Sequence, residues 1–132
     1  MGRHQDFLRK RAQEFWERAK EDYARSRFNL AALDVEQAIQ LWFKDLIYRR
    51  AGDFPKTYDF GVLLNELAHV SERPELIAFY ERRALEFRAI EDAYITSRYL
   101  PREFSQTDVL KMLEFGEAII GFVKETLGEK LV

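Results

Sequence analysis

Apolar residues along the chain recur at the spacing of a helix and nowhere at the alternation of a strand. Leu8, Ala12, Phe15, Ala19 and Tyr23 advance in steps of three and four, which places them on one helical face, while most residues between them are Arg, Lys, Glu or Gln. A second helix is predicted from Asn29, whose side-chain oxygen can accept from the free N–H groups of a new turn. It should run to about Arg50, where Gly52 can take the left-handed conformation that closes a helix. Leu30, Leu33, Ala38, Ile39, Leu41, Trp42, Phe43, Leu46 and Ile47 cannot share one narrow stripe, so this helix is expected at the centre, with neighbours on two faces.

Residues 52–57 carry turn chemistry without periodicity and read as a loop. Asp59 is placed to cap a short helix bearing Leu63, Leu64 and Leu67. Ser71, as a cap, and Pro74, in the first turn, predict the start of the next helix. That helix carries Leu76, Tyr80, Phe87, Ile90 and Tyr94 inward and is expected to continue to about Ser97, ahead of Pro101. Ser105, Gln106, Thr107 and Asp108 have the spacing of a capping box and open a last helix with Leu110, Leu113, Ile120 and Val123, closed by Gly128. The expected fold is all-α: an antiparallel up-and-down bundle of four long helices plus one short helix, in a single domain over residues 1–132. Low order is expected only in about the first five residues and the last four.

Composition fits such a domain, since 47% hydrophobic residues supply a core and 33% charged residues a solvated surface. With 21 Lys+Arg against 23 Asp+Glu the net charge is -2, so non-specific DNA binding is not expected: it depends on neutralising phosphates with a basic excess. The absence of Cys excludes disulfides, thiol catalysis and cysteine-ligated zinc. No apolar run has the length of a signal peptide core or a membrane span, which gives an expectation of a cytoplasmic protein with no membrane partner.

Most enzyme signatures are missing. No Gly-rich phosphate loop, no paired-His zinc motif and no Glu-x-x-His element occurs, so neither a cofactor nor a metal is expected. His69 reads as a helix-terminal residue, and His4 lies in the expected frayed start. The most informative stretch is residues 94–102, where Tyr94, Arg98, Tyr99 and Arg102 gather at a helix end. Guanidinium groups there can grip phosphate and aromatic rings can stack on bases. The same spacing also suits a structural role, with Arg98 on the last helical carbonyls and Tyr94 and Tyr99 completing the core; spacing alone favours that reading.

The order of elements resembles the HEPN (higher eukaryotes and prokaryotes nucleotide-binding) family, in particular its sacsin-related group. Gln37 and Ala38 precede Lys44 in an apolar helix, Tyr58, Asp59 and Phe60 precede Leu63 and Leu64, and Tyr94 and Ile95 are followed by Arg98 and Tyr99. The resemblance covers roughly residues 19–127. It implies a helical bundle, frequent homodimerisation and a cleft near the Arg-Tyr motif that contacts a nucleotide or RNA. Tyr58, Asp59, Tyr94, Arg98, Tyr99 and Arg102 are the contact residues it points to here. It further implies a partner of one kind, a minimal nucleotidyltransferase in a toxin–antitoxin-like pair.

The chain departs from the active members at the point that matters for cleavage. Those ribonucleases place a His four to six residues after an Arg, the Arg stabilising phosphate charge and the His moving protons. With four to six residues between the two, the corresponding positions after Arg98 are Glu103, Phe104 and Ser105, and Tyr58 stands where a His is usual. No catalytic residue is therefore assigned, and the leading reading is a non-catalytic domain. A degenerate metal-independent ribonuclease and a purely structural dimerisation module are the alternatives, the latter with Phe54, Tyr58, Phe87 and Phe104 as the expected dimer patch.

Overall fold

The structure, a computed structural model, describes residues 2–132, with side chains from Phe7 onward; His4 and the expected frayed start lie outside the described side chains. Six helices follow in order: α1 (Gly2–Ala24), α2 (Phe28–Ala51), α3 (Phe60–Ser71), α4 (Glu75–Arg82), α5 (Ala84–Tyr99) and α6 (Gln106–Leu127). No strand occurs among the described residues, and none of their helices is long and apolar enough to cross a membrane.

Three residues join α1 to α2, and Ser26 takes a left-handed φ of 60° there, so the two helices fold back on one another as the most extensive packed pair. Small Ala12 and Ala19 flank Trp16 on the buried face of α1, which lets the helix axes approach closely. As its all-round apolarity predicts, α2 is the hub. It packs on α1, α3, α5 and α6 and buries Val35, Ile39, Trp42, Phe43, Leu46 and Ile47 completely. Each such side chain contributes about 1.5–3 kcal/mol on leaving water.

Local end signals hold at four places. Gly52 and Gly128 are left-handed and close α2 and α6. The Asp59 side chain accepts from the Gly61 and Val62 N–H groups at the start of α3, and Ser105 and Asp108 form a reciprocal capping box on α6.

Three helix boundaries differ from expectation. Asn29 lies inside the first turn of α2, which starts at Phe28; its Oδ1 accepts from the Phe104 N–H at 2.9 Å and pins the α5–α6 loop. Ser71 is the last residue of α3, its hydroxyl donating to the Leu67 carbonyl at 2.6 Å, while Pro74 occupies the cap position of α4. The helix expected after Pro74 is two helices broken at Arg83, so the bundle has six helices and not four long plus one short. At the break Phe79 stacks face to face on Phe122 of α6 (ring centres 4.2 Å apart), while Phe87, expected in an exposed dimer patch, is fully buried against Phe43, Phe60 and Phe115. Phe79 and Phe87 also pack edge-on against each other across the break, 5.9 Å between ring centres, and Arg83 and Glu86 tie the corner with two hydrogen bonds of 2.6 and 2.7 Å.

Two of the last four residues, Glu129 and Leu131, are held against the bundle, contrary to expectation, while Lys130 and Val132 are exposed. The Glu129 carboxylate bridges Arg49 and Arg50 in the basic last turn of α2, Leu131 is fully buried, and its carbonyl accepts from Gln13 of α1 at 2.6 Å. Glu129 complements the charge at that helix end, and Leu131 completes the core between α1 and α2.

Candidate functional site

α2 buries charge as well as apolar surface, on two opposite faces. Toward α1, Asp34 has no solvent exposure; Arg18 donates to it at 2.9 Å, and its carboxyl is pushed up to about 7 by burial and by neighbouring Asp22, against the pull of Arg18. Toward α5 and the 52–59 loop, Glu36, Gln40 and Lys44 recur every fourth residue and form a buried chain. Lys44 Nζ donates to Gln40 Oε1 (2.9 Å), Gln40 Nε2 to Glu36 Oε2 (2.5 Å), and Gln37 Nε2 to Glu36 Oε1 (2.6 Å). Burial pushes Glu36 up to about 7, and burial together with the nearby Lys56 charge lowers Lys44. Neither Gln40 nor Glu36 was singled out from the sequence; a polar residue at every fourth position of an otherwise apolar helix is the signal that marks them.

The loop after α2 covers the Lys44 end of this chain. Gly52 turns it back, the Phe54 ring packs edge-on against Tyr48, and Asp59, fixed as the α3 cap, ends it. Tyr58 is thereby delivered to α5, where its ring stacks on Tyr94 with centres 4.7 Å apart and planes 29° from parallel. Arg98, one turn along α5, holds its guanidinium 5.1 Å from the Tyr94 ring and 5.8 Å from that of Tyr99, and Lys44 Nζ lies 5.4 Å from the Tyr58 ring. The adjacent Tyr58 phenol raises the Tyr94 hydroxyl above its ordinary pKa, so Tyr94 stays protonated near neutral pH.

Four of the six sequence-designated residues therefore converge: Tyr58, Tyr94, Arg98 and Tyr99. Tyr58 is 54% exposed and Tyr99 66%, and Arg98 is exposed, so the cluster faces solvent and does not complete the core. The Asp59 carboxylate is committed to the α3 cap. Arg102, beyond Pro101, lines a different feature: a groove of about 630 Å³ between α5 and α6 with Phe104, Ile90, Met112 and Phe115. His69 is exposed in the last turn of α3 and lines a shallow hollow against α4, not the tyrosine pair. Among the described residues no group of three or more His, Cys, Asp or Glu is gathered as a metal site.

A family model, described as HEPN domain, matches residues 5–126, nearly the whole chain. No curated protein and no solved structure matches the chain.

Proposed function

The chain belongs to the HEPN family, and on that premise we propose that it is a non-catalytic member that binds a nucleotide or RNA and docks a partner protein. One observation carries the reading: two stacked tyrosines, Tyr58 exposed and Tyr94 half-buried, flanked by the exposed Arg98 guanidinium and underlain by the buried Lys44 ammonium. Aromatic faces take bases and fixed cations take phosphates. The order of motifs favours the sacsin-related group within the family and a minimal nucleotidyltransferase as partner in a toxin–antitoxin-like pair; a cytoplasmic place of action is part of the same proposal. A homodimer fits the apolar side chains left in water on α5 and early α6, among them Leu85, Ile95, Leu100 and Leu110, which replace Phe87 in the expected patch.

A second reading, a degenerate metal-independent ribonuclease, gains support from Glu36. Its carboxyl sits in the range useful for proton transfer and its charge is felt by Tyr94. Against it, Glu36 is sealed from solvent and held by two amides.

Purified protein incubated with labelled single-stranded RNA, beside Arg98→Ala and Glu36→Gln, separates the two. The expected result is no cleavage by any of the three and weaker ligand binding by Arg98→Ala. Cleavage lost on either substitution overturns the non-catalytic reading. Unchanged ligand affinity in Arg98→Ala removes the site.

A further inference from the structure

The Pro101 turn sends α6 back along α5, but the bundle stays open between them. The α5 wall carries small side chains at Ala89 and Thr96, which leave the groove of about 630 Å³ unfilled, a size within the about 300–1,000 Å³ of small-molecule sites. Its floor is apolar and fixed. Ile90, Met112 and Phe115 belong to the buried core, the Phe115 ring packs edge-on against Phe87 at 4.9 Å, and the Asn29 bond to the Phe104 N–H holds the loop end. At the far end the Arg83 guanidinium, paired with Glu86, lies 4.7 Å from the centre of the Phe115 ring.

Polar groups toward the loop end lack partners. Thr96 is 8% exposed and lines the groove. Its neighbour Ser97 turns its hydroxyl back onto the Ala93 carbonyl, whereas the Thr96 hydroxyl has no hydrogen-bond partner among the described residues. Arg102 and Lys111 form no ion pair among those residues, and both charges reach Asp108, whose carboxyl the Ser105 N–H and then these cations hold below its usual range. Of the carboxylates on the rim, Glu86 is bound by Arg83 and Asp108 by Ser105; Asp92 and Glu114 are left, and they disfavour a second anionic group. None of these residues belongs to the tyrosine cluster.

An apolar trough with a buried hydroxyl donor and two unpaired cations has the polarity of a hydrocarbon chain carrying one acidic head. We propose that the groove binds a medium-chain carboxylate, its chain along Ile90, Met112 and Phe115 and its carboxylate against Thr96, Arg102 and Lys111. From Leu85 to Thr96 the α5 wall is roughly 16 Å long at about 1.5 Å per residue, a length that an extended chain of this class spans. Met112, unbranched and adaptable, suits a floor that accepts a flexible chain. The proposal does not depend on the tyrosine pair being a nucleotide contact.

Isothermal titration tests it, with hexanoate, octanoate and decanoate below their micelle concentrations, and with decanol and decylammonium as controls for the head. Each added methylene should tighten Kd about threefold to fourfold, and decylammonium should bind about tenfold more weakly than decanoate. Arg102→Gln, Lys111→Gln and Thr96→Val should each weaken decanoate about fivefold and leave decanol unchanged. Ala89→Trp fills the groove from an exposed position and should abolish binding with an unaltered circular dichroism spectrum; if that variant misfolds, the three head-group variants still decide the matter. A Kd that does not change with chain length, equal affinity for decylammonium, or undiminished binding by Ala89→Trp overturns the proposal. So does a parent protein that takes up no decanoate; a mass by light scattering that falls from dimer to monomer in Ala89→Trp would then assign the groove to a second copy of the chain.

Discussion

Gly116 and Gly121 lie on the same face-to-core helix, α6, yet the substitution of each by Ala should move stability in opposite directions. A Cβ on Gly121 meets nothing within 4 Å, so only the backbone term operates, and Ala in place of Gly in a helix interior stabilises by about 1 kcal/mol. A Cβ on Gly116 would stand 2.5 and 2.6 Å from Cη2 and Cζ3 of Trp16, an indole that is 1% exposed and cannot swing into solvent. To admit a methyl group, the ring or the two helices must separate by about 1 Å. Overpacking of this kind costs about 1–3 kcal/mol, and the rigid bicyclic neighbour places the cost at the upper end, about 3 kcal/mol. Set against the backbone gain, the net loss is about 2 kcal/mol. For a chain of 132 residues, 1 kcal/mol corresponds to a Tm change of about 3–4 °C. Gly121→Ala should therefore raise Tm by about 3 °C and Gly116→Ala lower it by about 7 °C, read by thermal circular dichroism at one protein concentration and confirmed by urea midpoints. A Gly116→Ala protein as stable as the parent would refute the packing of α6 beneath Trp16, and with it the placement of α1 over α6.

Two further perturbations probe the parts of the core that surround α2. Burial raises Asp34 from 3.8 to about 7, so its favourable contribution is complete with the carboxyl protonated, below about pH 4, and is lost as pH rises to about 7; Glu36 acts in the same direction. Asp34→Asn, which stays neutral, should be the more stable protein at pH 8 by about 1–3 kcal/mol and lose that advantage at pH 5, as urea titrations at the two pH values would show; a deficit at pH 8 would mean that the Arg18 pair outweighs desolvation. Leu131→Ala should cost about 2 kcal/mol, roughly 7 °C in Tm, because a fully buried side chain is removed from a wedge between α1 and α2; a change below 1 °C would show that the tail contributes nothing.

The features legible in the sequence are those whose cause is local. The central place of α2 follows from apolar residues around its whole circumference, and Gly52, Asp59, Gly128 and the Ser105–Asp108 box act within a single turn. The break at Arg83 was not legible. Glu81, Arg82, Arg83 and Ala84 are all good helix formers, so no local signal marks the corner; what surrounds it is the aromatic cluster of Phe79, Phe87, Phe115 and Phe122, assembled from three helices. Asn29 and Ser71 look like caps and are not: Asn29 found a partner in Phe104, far outside any window of neighbouring residues, and Ser71 bonds back to the Leu67 carbonyl within α3. In the site, Tyr94, Arg98 and Tyr99 were legible as one helix end, and the resemblance supplied Tyr58. The separation of Arg102 from Arg98 was not legible, because Pro101 sends the chain over to α6. Glu36 and Gln40 were hidden in a helix whose other residues announce core.

The same helix that organises the core also holds Glu36, Gln40 and Lys44 beneath the 52–59 loop. Burying a charge-bearing chain there costs stability that apolar side chains of similar volume would return. Selection for robustness alone would therefore replace these three residues early, and would leave a sturdier bundle whose tyrosines have lost the cation beneath them. In a set of thermostabilised variants, an α2 that still carries the Glu-Gln-Lys series would mark the proteins in which the surface above it is in use.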